Sequence, residues 1–158
     1  MPATLTVRPA TRADIPLLVD FNAAMAWETE RKRLDPERLA RGIAGPFEQP
    51  GRGRYFVAER EGAVVGSLLV TYEWSDWRDG DWWWIQSVYV AESARRQGVF
   101  RALYAELERL ARETPRVVGL RLYVEWENER AQGTYLALGM EQCHYHMYER
   151  AFIELVQG

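Results

Sequence analysis

Residues 88–101 read Val-Tyr-Val-Ala-Glu-Ser-Ala-Arg-Arg-Gln-Gly-Val-Phe-Arg, and their reading decides the fold. Val88, Tyr89 and Val90 end a β-type run that begins near residue 82. A short polar turn follows. From Gly98 the spacing becomes helical, with Phe100, Leu103, Tyr104, Leu107, Leu110 and Ala111 on one face. A helix start leaves backbone N–H groups without intrahelical partners and carries partial positive charge. Gly98 lets an anion approach the main chain, and Arg95, Arg96 and Arg101 add charge. The segment suits a phosphate-binding turn. The plainer alternative is an ordinary helix start with solvated arginines. No Gly-Lys-Ser/Thr follows, and only one Gly is present. Those facts exclude a nucleotide-triphosphate loop and a dinucleotide fingerprint.

Working outward, residues 54–60, 63–73 and 82–90 are three strands with short connections, so they form an antiparallel meander. Upstream lie a short strand at 4–8 and a helix over about 11–27, opened by Thr11 with Asp14. A second helix starts at Asp35-Pro36-Glu37 and ends near 42–46. Gly45–Gly53 is expected as a loop. Downstream come a strand at 117–124, a helix at 128–138 stopped by Gly139, and a last strand at 140–149. Strand–helix–strand units in the second half imply parallel pairing with right-handed crossovers. The expectation is an α/β (α+β) mixed sheet in one domain, residues 1–158.

The chain has 158 residues, 47% of them hydrophobic, which is enough for one core. Its net charge of −3 lacks the footprint of a nucleic-acid binder. No apolar run reaches the ~18 residues of a membrane span. A single cysteine, Cys143, excludes an internal disulfide and a multi-cysteine zinc site, and is read as structural. His144 and His146 share a strand face with no third ligand, so no metal is expected. Lys32 is the sole lysine and sits in a charged run, a poor setting for covalent catalysis. A cytoplasmic chain is expected.

A second segment, Asn128-Glu-Arg-Ala-Gln-Gly-Thr-Tyr-Leu-Ala-Leu-Gly-Met140, places Asn128 as a helix cap and Tyr135 two turns later on the same face. Read alone, Tyr135 is first of all a packed aromatic. Together the two segments resemble the GNAT superfamily of acetyl-CoA-dependent N-acetyltransferases. Arg95 and Gly98 match its Arg/Gln-x-x-Gly-x-Gly/Ala turn. Asn128, Ala131, Tyr135 and Gly139 match its Asn-x-x-Ala-x-x-x-Tyr-x-x-x-Gly-Phe segment, with Met140 for Phe. The resemblance implies a central, mostly antiparallel sheet splayed where strands 82–90 and 117–124 run parallel, flanked by four helices.

It also implies roles. The strand around Val88, Tyr89 and Val90 would pair with the pantetheine arm, through the backbone groups of Val88 and Val90. The turn from Arg95 would hold the pyrophosphate through the amides of Arg96, Gln97, Gly98, Val99, Phe100 and Arg101. Asn128 would bond the cofactor arm, and Tyr135 would protonate the departing CoA thiolate. The cosubstrate would be acetyl-CoA, without a metal, and the acceptor a primary amine attacking directly. Phe100 stands where the motif has a small residue, so its ring must point away from the phosphates.

The acceptor is less legible. Trp84 stands where some relatives carry a catalytic Glu, and Gln86 on the same face is no base. Glu28 and Glu30, after the first helix, are candidates for deprotonating the amine, as is Glu73. The acid- and Trp-rich stretch 72–84 suits either a cationic amine or sheet packing and a homodimer contact. The alternatives to an enzyme are a non-catalytic acyl-CoA-binding sensor or interaction module, and an aromatic carbohydrate-binding module.

Overall fold

The computed structural model describes residues 4–155. The chain divides into two compact units, one running through Arg121 and a second spanning Leu122–Glu154. The first unit holds a five-stranded sheet in the order β1 (Leu5–Pro9), β2 (Arg54–Arg60), β3 (Ala63–Ser75), β4 (Gly80–Val90), β5 (Val117–Arg121). The first four pair antiparallel in sequence order, β2–β3 and β3–β4 through short turns and β1–β2 across the two helices between them. β4 and β5 pair parallel, with α3 (Val99–Glu113) as the crossover. Their register runs from Asp81–Val117 to Trp84–Arg121, where β5 ends, and β4 continues alone to Val90. This is the mixed sheet expected from the sequence.

Two helices precede the meander, α1 (Ile15–Glu30) and α2 (Pro36–Glu48). Asp35 caps α2 by accepting from the N–H groups of Glu37 and Arg38. α2 continues past the expected stop at 42–46 and includes Pro46, whose missing N–H removes one bond without ending the helix. Most of the segment expected as loop is therefore helical. Leu18, Ile43, Tyr55 and Val57 form a core cluster between α1, α2 and the sheet. α3 buries Val99, Leu103, Leu107 and Ala111 and touches all five strands. Gly66 of β3 seats its first turn, since a Cβ there would lie 2.7 Å from Val99 Cγ1. The N-terminal strand is tied down by Arg8, which donates to both oxygens of Asp14 (2.8 and 3.0 Å) and to Glu59 (2.7 Å).

The second unit contains α4 (Glu129–Ala137), which brings the described α-helices to four. The strand expected at 140–149 does not form: residues 140–149 enter no ladder among the described residues, so the His144–His146 strand face does not exist. Alternating side chains make a strand only when a partner supplies the backbone hydrogen bonds. No helix among the described residues is long and apolar enough to cross a membrane.

Candidate active site

The site in the first unit begins with an irregularity in β4. Leu69 pairs with Gln86, yet Ser67 pairs with Tyr89, so β4 carries one extra residue there. Ser87, at φ 52°, absorbs it as a bulge. Below the bulge, Trp83 and Ile85 are buried while Trp82, Trp84 and Gln86 take the opposite face. Above it, the Ala91 N–H donates to Val65 O of β3 (2.8 Å). By alternation, the polar groups of Val88 and Val90 therefore point away from β3. β5 ends at Arg121, level with Trp84, so this part of β4 has no ladder partner on that side among the described residues. The result is a stretch of main chain able to accept an extended partner, as in strand addition.

The turn follows directly. Glu92–Ala94 form a single 3-10 turn, Arg96 and Gly98 are left-handed (φ 64° and 79°), and α3 starts at Val99. The helical ladder opens with Ala102 N–H donating to Gly98 O (3.0 Å). The amides of Val99, Phe100 and Arg101 precede that bond, at the positive end of the helix. A Cβ built on Gly98 meets no atom within 4 Å, so the main chain there faces open space. A diphosphate fits these features: left-handed backbone, open approach, helix amides, and exposed Arg96 and Arg101.

Two side chains brace the turn. Gln97 donates to Ser93 O (3.0 Å) and accepts from Arg60 of β2. Val99 is buried in the core. The Phe100 ring packs on Tyr104, one turn further along α3, with centroids 6.2 Å apart.

Arg95 is folded back rather than extended. Its Nε donates to Val90 O (3.0 Å), and its Nη2 donates to both oxygens of Glu28 (3.1 and 2.9 Å). Its guanidinium lies over the Tyr89 ring, which packs on Phe21. Glu28 is thus held in an ion pair, while Glu30 lies at 3.4 Å from Lys32 on the exposed end of α1.

The face of β3–β5 carrying Trp84 is a connected polar surface. Gln86 donates to Thr71 (2.5 Å), and the Trp84 indole donates to Glu73 (2.7 Å). Arg121 donates to Glu73 (3.1 and 3.3 Å) and stacks on Trp82 at 3.9 Å, with Arg78 over the same ring at 5.1 Å. Two of the groups that suggested a cation site, Glu73 and Trp82, are engaged by the chain's own arginines. Trp74 and Trp77 are exposed on the β3–β4 hairpin.

The acetyltransferase (GNAT) family matches this sequence over residues 19–140. The chain belongs to the GNAT acetyltransferase family. Among solved structures, a possible acetyltransferase from Clostridium difficile 630 is 40% identical. That likeness covers 95% of this chain and 99% of the other, with a TM-score of 0.88. An aminoglycoside N-acetyltransferase in complex with CoA shares the fold at 15% identity and a TM-score of 0.78, covering 97% of this chain and 98% of the other. A mycothiol acetyltransferase of Corynebacterium aurimucosum is 29% identical over 130 residues. Those residues are 79% of this chain and 42% of that relative, so the chain spans about two fifths of that curated relative.

In this GNAT chain the second unit carries the other motif. Asn128 caps α4, its side-chain oxygen accepting from Ala131 N–H (3.1 Å). That bond leaves the amide NH2 as the group to offer a ligand. Tyr135 follows two turns later, and burial pushes its phenol pKa up. Gly139 (φ 94°) ends the helix, with Met140 N–H donating to Tyr135 O (3.1 Å). Cys143, free of any disulfide, is exposed. Among the described residues no group of three His, Cys, Asp or Glu could hold a metal. Sequence reasoning missed the Ser87 bulge, because Gln-Ser-Val-Tyr carries no Gly or Pro to signal it. It also missed the Glu28–Arg95 pair, which joins residues 67 positions apart.

Proposed function

We propose that this GNAT chain transfers the acetyl group of acetyl-CoA to a primary amine of a small molecule or peptide. The observation that carries the reading is the turn at 95–101. It sets a left-handed Gly98 open to solvent beside a β4 edge that has lost its neighbour. Backbone amides of Arg96 to Arg101 would hold the pyrophosphate, helped by the Arg96 and Arg101 charges. Val88 and Val90 would pair with the pantetheine arm, and the Asn128 NH2 would donate to it. Acetyl-CoA supplies an activated thioester; what the protein adds is position and proton management.

Tyr135 acts at the sulfur. A phenol with a raised pKa is fully protonated at neutral pH and is ready to donate as the C–S bond breaks. The neutral amine forms the C–N bond, sulfur leaves with the C–S pair, Tyr135 gives it a proton, and the proton lost by nitrogen restores the phenol. The paired state of Glu28 favours a water relay over direct abstraction by that residue. The amine body would lie along Thr71, Gln86 and Glu73, where donors and acceptors are mixed and Arg121 neutralises Glu73. That mixture supports an uncharged polar body better than a second cation. The chain is read as one cytoplasmic acetyltransferase domain, residues 1–158.

The test pairs calorimetry with turnover. Wild type should bind coenzyme A and acetylate members of a primary-amine panel. Tyr135→Phe should keep coenzyme A affinity within twofold and lose at least about 100-fold in kcat. Unchanged turnover would remove Tyr135 from the acid role. Absence of coenzyme A binding by wild type would remove the acetyl-transfer reading itself.

A further inference from the structure

We propose that Glu28 is a positioning residue for the cofactor, acting through Arg95; the inference rests on the acetyl-CoA reading above. Arg95 opens the basic segment of the turn, where an extended guanidinium would reach the phosphates. It is instead directed inward, with Nε on Val90 O (3.0 Å) and Nη2 on both Glu28 oxygens (2.9 and 3.1 Å). The Tyr89 ring lies beneath it, and Phe21 of α1 packs on that ring at 5.0 Å. One side chain thus ties the end of β4, the start of the turn and the last turns of α1.

The placement of Glu28 supports the same conclusion. A carboxylate near a helix C-terminus faces the negative end of the dipole, the less favourable end for an acid. Glu28 sits there, two residues before the end of α1, and Arg95 compensates its charge. The anion-binding capacity of Arg95 is therefore spent within the protein. The phosphates fall to the backbone amides and to Arg96 and Arg101. Arg95 in turn fixes the direction of the Val90 carbonyl, on the edge that would receive the pantetheine arm.

A different role for Arg95 gives opposite signs. If Arg95 left Glu28 to bind the phosphates directly, Glu28 would compete with the ligand. Glu28→Gln would then tighten coenzyme A binding. As a strut, the same change weakens it.

The experiment is calorimetry with coenzyme A on wild type, Glu28→Gln, Arg95→Gln, the double variant and Glu28→Asp, each checked for a melting temperature within about 4 °C of wild type. A half-exposed ion pair is worth up to about 1 kcal/mol, so each single Gln variant should weaken binding about three- to fivefold. The double variant should be no weaker than the weaker single, because both break one strut. Glu28→Asp, which keeps the charge, should recover most of the affinity and guards against a fold effect in Glu28→Gln. Tighter binding by Glu28→Gln, or losses that multiply in the double variant, would overturn the proposal while leaving the acetyl-CoA reading intact. No binding by wild type would overturn that reading first.

Discussion

Gly98→Ala separates the cost of a backbone shape from the use of that shape. Gly98 sits at φ 79°, ψ 15°, and an L-residue pays about 1–2 kcal/mol to hold the left-handed region. No clash adds to this, since the new Cβ meets no atom within 4 Å. For a chain of this size, that loss lowers Tm by roughly 2–8 °C. Binding should suffer more. The added methyl enters the open space through which a phosphate would reach the amides, and losing one hydrogen bond to a charged group costs about 1.5–3 kcal/mol. Coenzyme A affinity should therefore fall about 10- to 100-fold. Thermal denaturation followed by circular dichroism gives the first quantity and calorimetry the second. A variant with the expected small Tm loss and coenzyme A affinity within twofold of wild type would refute the phosphate-turn argument.

Other expectations concern the scaffold. The Arg8 guanidinium, with help from Thr11 N–H, holds the Asp14 carboxyl below its ordinary pKa of 3.8. A depressed carboxylate pKa contributes stability that is present above the unfolded value and lost as pH falls through the folded one. Asp14→Asn should cost about 2–3 kcal/mol at pH 7, and the gap from wild type should narrow below about pH 4 in urea melts at several pH values. A gap that stayed constant down to pH 2 would assign the loss to something other than charge. Ser67 is 1% exposed, and its hydroxyl has no hydrogen-bond partner among the described residues. Ser67→Ala should therefore be neutral or stabilising by up to about 1 kcal/mol, and a clear loss in urea melts would reveal a hidden partner.

The readable parts of the site are those built from local backbone. Gly98 before a helical apolar stripe announces a helix start, and α3 begins there. Asn128 and Gly139 announce a cap and a stop, and each behaves so. The meander of β2, β3 and β4 follows from short turns. The less readable parts depend on residues distant in sequence. Whether Arg95 reaches outward or inward depends on Glu28, which only the packing of α1 beside β4 supplies. Whether Glu73 and Trp82 are offered to a cation depends on Arg121 from β5. The 140–149 segment has strand-like composition, yet composition supplies no partner edge.

By itself, then, the sequence determined the order of elements as far as α4, the helix start at Gly98 and the family motifs. These rest on contacts within a few residues and on periodicities of 2 and 3.6. Tertiary structure alone decided the bulge at Ser87, how far β5 runs beside β4, and which charged side chains remain available to a ligand. Those features are set by which strand and helix come to lie alongside, and the Arg95 charge is quenched by a neighbour 67 residues away.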